Sequence, residues 1–496
     1  MPPITRRTLG ARATSSLLWL GASALPGVSA AAEAQVPAPA TIRGVARIRG
    51  KTIPYRAVAS EIVLPTATGA PGATVFSAAY LAEGAAAARR PVTFLFNGGP
   101  GGATIALREG LAPRLTVNAA TPDGFAFADN PHSLLDVSDL VFVDPPGVGY
   151  SRFLTEGAER EFWGVEEDAR AVAAFIREWL RANGRAASPK FLVGESYAGI
   201  RVGFVAELLA AEPRPTRMAG VVLVSPSTAT RGRPPLAGPA DPAVRALPSQ
   251  AAAAWYHGRG AYRERPVEAV ASEAHRFASG PYAAALAKGA ALPDTEAEQI
   301  AAQVARYTGF PAATVREAGL KIPVDRFVRE LLSDTGERIG GSDARAKAPR
   351  SITDTKKPPY DDPSTSPYTL KYDLTKAVEG LFRGEFGYRP ASGYVRLSYP
   401  ANERWNHSVA RGPVSMPLLF KDLMAQDPAL RVTLMLGYYD LTIPYAGPLE
   451  EYLAAGLPKG RFTQSVYPAG HAVFSDDATR RQATDDLRAF YRAALG

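Results

Sequence analysis

The sequence predicts an α/β fold with a mostly parallel central sheet. Short, continuous apolar runs recur along the chain, and such runs are typical of strands that are covered on both faces of a parallel sheet. They lie at residues 92–96, 140–143, 191–193, 221–224 and 432–436. Between two of these runs, residues 161–182 carry apolar side chains at helical spacing, and Gly184 follows. Strands that alternate with helices in this way indicate an α/β domain.

The N-terminal residues have the pattern of an export signal. Residues 5–9 read TRRTL, a twin-arginine pattern, and a weakly apolar run follows at 15–25. Val28, Ser29 and Ala30 then form a small-x-small cleavage signature. We expect a twin-arginine-type signal peptide over residues 1–30, a Pro/Ala linker over 31–42, and a periplasmic or secreted product. No later run reaches the roughly 18 apolar residues of a membrane-spanning helix.

The next segment and the middle of the chain predict the edge of the sheet and a cap. Residues 45–81 alternate and are rich in β-branched residues, which favours antiparallel strands at a sheet edge. Residues 228–414 hold alanine-rich helical runs between Gly- and Pro-rich loops, so we expect a mostly helical insertion there. The core would then comprise 43–227 and 415–496. Within the insertion, the polar segment 342–367 is predicted to be a flexible loop.

Composition excludes several classes of function. The 496 residues are 46% hydrophobic and 21% charged, as in a globular protein. The net charge of +8 is not concentrated in one stretch, which disfavours nucleic-acid binding. Cysteine is absent, so there are no disulfides and no thiol chemistry. The five histidines are scattered without a metal-binding spacing, and we expect neither a metal nor a cofactor. The oligomeric state stays open.

A candidate nucleophile lies in the stretch GESYAG at 194–199. Ser196 stands between the small residues Gly194 and Ala198, after the strand predicted at 190–193 and before a helix predicted at 200–212. A sharp strand-to-helix turn of this kind lifts a serine hydroxyl out of the sheet, and its crowding requires small residues two before and two after the serine. The hydroxyl becomes a good nucleophile only when a base removes its proton.

The acid and the base are predicted from their positions after strands. Asp440 follows the apolar run at 432–436, and His471 follows a run at 462–466 and a Pro-Ala-Gly turn. The chain order serine, acid, histidine is the order of hydrolases with a strand–turn–helix nucleophile. Asp476 and Asp477 are alternative candidates for the acid.

A glycine-rich loop follows the strand predicted at 92–96. Its sequence, NGGPGG at 97–102, lacks the Gly-Lys-Ser/Thr ending of a phosphate-binding loop. Free backbone N–H groups at such a turn can stabilise the oxyanion of a tetrahedral intermediate.

Six motifs, in this order, resemble those of the serine carboxypeptidases, in their bacterial branch. They are NGGPG at 97–101, NPHS at 130–133, DPPGVGYS at 144–151, GESYAG at 194–199, GYYD at 437–440 and GHAV at 470–473. The resemblance extends from about residue 60 to the end and implies an α/β-hydrolase fold with a helical cap. It also implies site roles: Ser196, Asp440 and His471 as the catalytic triad, the N–H groups of Gly99 and Tyr197 as the oxyanion hole, and Asn97, Gly98 and Glu195 as the binding site for the substrate's C-terminal carboxylate. Trp405 would line the same pocket.

The sequence departs from the family at three places. Gly102-Ala103-Thr104 stands where many relatives have cross-linking cysteines, and Phe474 replaces a proline after the histidine motif. Relatives often have a second acidic residue that pairs with the glutamate at the position of Glu195. No such residue is identified here, because Glu109 does not align with the position of that acid.

We expect an exported serine carboxypeptidase that acts on peptides with a free C-terminus. An esterase or acyltransferase on the same triad is an alternative, and so is a catalytically silent binding protein with this fold. Glu195 favours the first, since its protonated carboxyl could donate a hydrogen bond to the substrate carboxylate. Burial and the substrate's charge would both raise its pKa, which predicts a preference for acidic pH.

Overall fold

The computed structural model describes residues 36–84, 86–353 and 362–496. The predicted signal peptide and the start of the predicted linker lie outside these residues. In the described ranges, no helix combines the length and apolar character needed to cross a membrane.

The strands of the described residues are β1 Ala40–Ile48, β2 Lys51–Pro65, β3 Pro71–Ala82, β4 Val92–Phe96, β5 Arg114–Asn118, β6 Phe125–Asp129, β7 Asp139–Asp144, β8 Lys190–Glu195, β9 Gly220–Val224, β10 Glu337–Ile339, β11 Lys347–Pro349, β12 Arg431–Gly437 and β13 Phe462–Tyr467. Nine of them form the central sheet, in the order β1-β2-β3-β7-β4-β8-β9-β12-β13. At one edge β1, β2, β3 and β7 pair antiparallel, and the neighbours in the series β7-β4-β8-β9-β12-β13 pair parallel. This sheet confirms the predicted fold class.

The helices lie between and around these strands. They are α1 Ala106–Leu111, α2 Val165–Ala182, α3 Ala198–Ala210, α4 Pro242–Tyr256, α5 Val267–Phe277, α6 Ala283–Lys288, α7 Asp294–Thr308, α8 Ala312–Glu317, α9 Val324–Glu330, α10 Arg350–Thr353, α11 Pro367–Leu370, α12 Leu374–Gly380, α13 Tyr399–Arg404, α14 Met416–Gln426, α15 Ala446–Ala455 and α16 Asp477–Leu495. Helix α2 begins later than the predicted residue 161, because Gly164 is extended at φ −175° and separates the helix from a short 3₁₀ turn, Ala158–Glu161.

The continuous apolar runs are central strands because both of their faces are covered. Every residue of β4, β7, β8 and β9 is buried. One apolar cluster covers the first face of the sheet with helices α2, α3 and α14, and a second covers the other face with α1 and α16. Burial on both sides leaves the polar chemistry to the loops at the strand ends.

Helices dominate the chain between β9 and β12. Helices α4, α5 and α7 share an apolar cluster of their own, which Tyr439 and Leu441 join from the loop after β12. That loop therefore packs between the sheet and the helices of the insertion. The proposed boundaries of the cap, 228 and 414, stay predictions.

Two segments differ from their predicted structure. Ala40 to Ile42, expected in the linker, already pair with β2, because their alternating side chains fit the sheet edge. Within the predicted flexible loop at 342–367, residues 347–349 pair with β10 and short helices lie at 350–353 and 367–370.

Candidate active site

The nucleophile candidate occupies a sharp turn between β8 and α3. Ser196 has a backbone φ of +63°, in the left-handed region that is unusual for a residue with a side chain. Its N–H donates to Val224 O at 2.9 Å, and its carbonyl accepts from Gly199 N at 2.9 Å. A Cβ at Gly194 would collide with the backbone of Ala198, so the turn requires the glycine. The predicted strand–turn–helix context is present.

His471 and Asp440 form a hydrogen-bonded pair at the same edge of the sheet. The imidazole Nδ1–H donates to Asp440 Oδ2 at 2.7 Å. Asp440 is fully buried, and its other oxygen accepts from the N–H groups of Thr442 and Ile443 at 2.8 and 2.9 Å. These bonds leave Oδ2 as the oxygen that faces the imidazole.

The two alternative acids have other partners. Asp476 caps helix α16 by accepting from Thr479 N at 3.0 Å. The side chain of Asp477 is 76% exposed and lies 3.5 Å from His132. The structure therefore favours Asp440 as the acid that orients His471.

Opposing effects determine the pKa of His471. Burial lowers the pKa, but the Asp440 carboxylate raises it, and the nearby Glu195 and Asp362 carboxylates add to this effect. The balance raises the pKa to about 9. An imidazolium at this position is thus strongly stabilised, and His471 would accept a proton from the serine only in molecules whose imidazole is neutral.

Glu195 is a buried carboxyl group with one hydrogen-bonded oxygen. Asn97 Nδ2 donates to its Oε1 at 2.6 Å, while Oε2 is buried without a hydrogen-bond partner among the described residues. Burial raises the pKa of Glu195 to about 7, with Asp440 adding to the rise and His471 and Asn97 opposing it. Glu109 is not its partner, because Glu109 accepts from the N–H and hydroxyl of Thr116.

The glycine-rich loop packs directly against the turn that holds Ser196. A Cβ on Gly98 would lie 2.6 Å from Tyr197 N and 2.8 Å from Ser196 Cβ, so only glycine allows this approach. Gly102 N closes the loop by donating to Gly98 O at 2.9 Å. The structure thereby brings residues 97–99 beside Ser196 and Tyr197. The sequence predicts that these two segments supply the oxyanion hole and the carboxylate site.

Tyr197 and Trp405 lie next to the turn as well. Trp405 Nε1 donates to the Tyr197 hydroxyl at 3.0 Å, and the two rings meet edge to face at 5.4 Å. Both residues are buried. The predicted neighbour Trp405 is thus in direct contact with the residue that follows Ser196.

A buried ion pair beneath the site was missed in the sequence. Arg201 Nε donates to Asp168 Oδ2 at 2.7 Å, and its Nη1 donates to Asn97 O at 2.7 Å. Both charged side chains are 1% exposed. The arginine therefore joins helices α2 and α3 to the residue that holds Glu195. The signal for it was an arginine in an otherwise apolar helix, AGIRVGFVAELLA.

Two further motifs support the segment after the glycine-rich loop and the end of helix α1. Asp144, at the end of β7, is buried and accepts from Thr104 N at 2.8 Å. Asn130 donates to the carbonyls of Gly110 and Ala112, which fixes the end of helix α1. Among the described residues, no group of three or more His, Asp or Glu side chains is placed to hold a metal ion.

Comparison with known proteins finds similarity to the same family as the motifs do. The family model for serine carboxypeptidases matches residues 69–230. Serine carboxypeptidase-like 26 of Arabidopsis thaliana is 30% identical over 112 residues, which are 22% of this chain and 24% of that protein. This chain therefore matches about a quarter of the length of its curated relative.

A solved structure shares the fold over nearly the whole chain. It is Kex1(Δ)p, a prohormone-processing carboxypeptidase from Saccharomyces cerevisiae, with a TM-score of 0.50 and 12% identity over 95% of this chain and 94% of that one. The predicted resemblance to serine carboxypeptidases is confirmed, and so is the α/β-hydrolase fold.

Proposed function

We propose that the chain is an exported serine carboxypeptidase that hydrolyses the C-terminal peptide bond of peptides. The observation that carries this proposal is the buried hydrogen bond between Asn97 and Glu195, the residue directly before Ser196. A carboxyl group with a raised pKa and an unpaired oxygen beside a nucleophile is suited to hold a second carboxylate, the free end of a peptide. A general esterase has no need of such a group.

The reaction would proceed through an acyl-enzyme. Ser196 Oγ attacks the last peptide carbonyl while His471 Nε2 takes its proton, and Asp440 holds the Nδ1–H. The N–H groups of Gly99 and Tyr197 would bind the developing oxyanion. The imidazolium then gives its proton to the leaving amine, and the C-terminal amino acid departs. Water, deprotonated by His471, cleaves the ester and restores the serine.

The carboxylate site would combine three groups. The side-chain amide of Asn97 and the backbone N–H of Gly98 can donate to the substrate carboxylate, and so can Glu195 when it is protonated. Because the pKa of Glu195 is raised to about 7, this donor is present below pH 7 and is lost as the pH rises through that value. Ionised Glu195 would then repel the substrate.

The first test compares a blocked dipeptide that has a free C-terminus with its C-terminal amide. We expect kcat/KM to be roughly tenfold or more lower on the amide, because hydrogen bonds to a charged group contribute about 1.5–3 kcal/mol each. Release of the C-terminal residue, measured by chromatography, gives the ratio. Equal rates on the two substrates would indicate an esterase or acyltransferase. Failure of an active-site phosphonate to label Ser196 would indicate a silent binding protein.

The second test concerns pH. In the native enzyme, KM for a free-acid dipeptide is expected to rise as the pH increases through about 7, because Glu195 loses its proton. Glu195→Gln keeps a neutral hydrogen-bond donor at every pH, so its KM is expected to be nearly flat. Steady-state kinetics from pH 5 to about 9 measure this. Glu207→Gln on helix α3, whose partner is the exposed Arg411, is the control and should keep the native profile. A Glu195→Gln profile that rises as in the native enzyme contradicts the assignment.

Export is a part of the proposal that the N-terminal sequence supports. The TRRTL pattern and the Val28-Ser29-Ala30 signature belong to residues 1–30, outside the described structure. The helical cap between about 228 and 414 is proposed on the run of helices that separates β9 from β12.

A further inference from the structure

The loop between β10 and β11 connects the segments that carry Asp440 and His471. We call residues 340–345 the strap. Ser342 O accepts from His471 N at 2.6 Å, and Gly341 O accepts from Leu441 N at 3.0 Å. Ala344 N donates to Tyr439 O at 3.0 Å. The strap is thus bonded to the backbone of the base and to both neighbours of the acid.

The contact between the strap and the histidine loop is very close. A Cβ on Gly470 would lie 2.5 Å from Ser342 O and 2.6 Å from Asp343 Cβ. Because real Cβ atoms do not approach other atoms so closely, Gly470 is required for the strap to lie beside His471. The glycine before the histidine thus has a physical role that does not involve substrate.

Arg345 fastens the strap to the histidine loop. Its guanidinium donates to Pro468 O at 2.8 Å and to Asp476 Oδ2 at 3.1 Å. It also donates to Asp343 Oδ2 at 2.7 Å within the strap, and it lies 5.3 Å from the ring centroid of Tyr439. One side chain therefore contacts the strap, the loop that carries His471 and the residue before Asp440.

Asp362 fastens the strap from the other side. Its Oδ2 accepts from the N–H groups of Gly341 and Ser342 at 2.8 and 3.1 Å, and its Oδ1 accepts from Ser364 N at 2.8 Å. With Glu195 and Asp440, Asp362 is also one of the carboxylates that raise the pKa of His471. The hydrogen bonds of Asp362 thus hold the strap, and its negative charge stabilises the protonated form of the His471 imidazole.

We propose that the strap sets the position of His471 relative to Asp440, with Arg345 as its positioning residue. This rests on the proposed function, in which these two residues act as base and acid. The segments that follow β12 and β13 are separate loops, and the 2.7 Å hydrogen bond between them requires that neither shifts. A displacement of about 1 Å in a catalytic group can cost roughly 10²-fold in rate. The insertion would therefore be part of the catalytic machinery as well as a cover.

Arg345→Met tests the proposal, because it removes the charged donors and keeps much of the aliphatic volume. We expect kcat on a blocked dipeptide to fall about tenfold to a hundredfold, with KM changed less than about twofold. The downfield proton NMR resonance of the hydrogen between His471 Nδ1 and Asp440 Oδ2 should shift or broaden. Lys347→Met is the matched control, since its ion pair with Glu337 lies on the same hairpin with the lysine side chain 53% exposed.

Other variants separate positioning from loss of the fold. Arg345→Lys keeps a charge but loses the planar set of donors, so it should recover only part of the rate. If Arg345→Met does not fold, Asp343→Asn carries the test, because it weakens the hold of Arg345 on the strap and leaves in place the carboxylates that raise the pKa of His471; it should reduce kcat and alter the same resonance. A folded Arg345→Met variant with native kcat and a native resonance would overturn the inference. An inactive native enzyme whose resonance still responds to Arg345→Met would refute the proposed function and leave the positioning role standing.

Discussion

Ser196→Ala is expected to lower kcat for release of a C-terminal residue by about 10⁶-fold, with little change in KM. Loss of a nucleophilic serine has an effect of this order in hydrolases with the same constellation, because the acyl-enzyme can no longer form. The Asn97–Glu195 hydrogen bond, which belongs to the proposed carboxylate site, does not involve Ser196, so ground-state binding should be kept. Single-residue release from a blocked dipeptide, together with phosphonate labelling, measures the effect.

A neighbouring serine provides the control for this experiment. Ser227 N donates to Ser196 O at 3.0 Å, and this backbone contact survives in Ser227→Ala. That variant should keep native activity. Substantial peptide hydrolysis by Ser196→Ala, in a preparation free of other peptidases, would show that another residue is the nucleophile.

Asp440→Asn is expected to lower kcat by about 10⁴-fold, the effect known for the equivalent change in a serine protease triad. The structure supplies the reason. Asp440 Oδ1 accepts from Thr442 N and Ile443 N, so the single oxygen of an asparagine would take that place. Its NH₂ group would then face His471 and would force the imidazole to carry its proton on Nε2, where it cannot accept the serine proton.

The same substitution changes the pH dependence. Asp440 is the carboxylate that most raises the pKa of His471, so this pKa should fall when the charge is removed. The pH profile of the residual kcat reports the fall. Asp477→Asn is the control, because its carboxylate is exposed and lies near His132. A loss in Asp477→Asn as large as that in Asp440→Asn would contradict the assignment of the acid.

Much of the core was predictable because its signals are local. Residues 92–96 were predicted as a strand and form β4 with the same bounds. A strand that is covered on both faces of the sheet is apolar throughout, so its composition alone identifies it. Asp440 was predicted because it follows a run of this kind, whereas the run before His471 forms β13, a partly exposed edge strand. The start of helix α2 was less predictable: the helical spacing continues through Gly164, while the backbone there is extended.

The contacts around the site were predictable only in part. Asn97 was expected in the carboxylate site from family resemblance, but its hydrogen bond to Glu195 joins residues from two different strand ends. Arg345 lies in a polar segment that was predicted to be a flexible loop. Its partners Pro468 and Asp476 are more than a hundred positions away, and no periodicity in the sequence encodes such a contact.

The backbone of Ser196 has a consequence for engineering this protein. A residue with a side chain at φ +63° costs about 1–2 kcal/mol relative to an unstrained conformation, and glycine avoids most of that cost. A Ser196→Gly variant is therefore expected to have a higher melting temperature than the native chain. A search for thermostable mutants that scores only the melting temperature would favour losing the proposed nucleophile, so every round of selection has to include turnover.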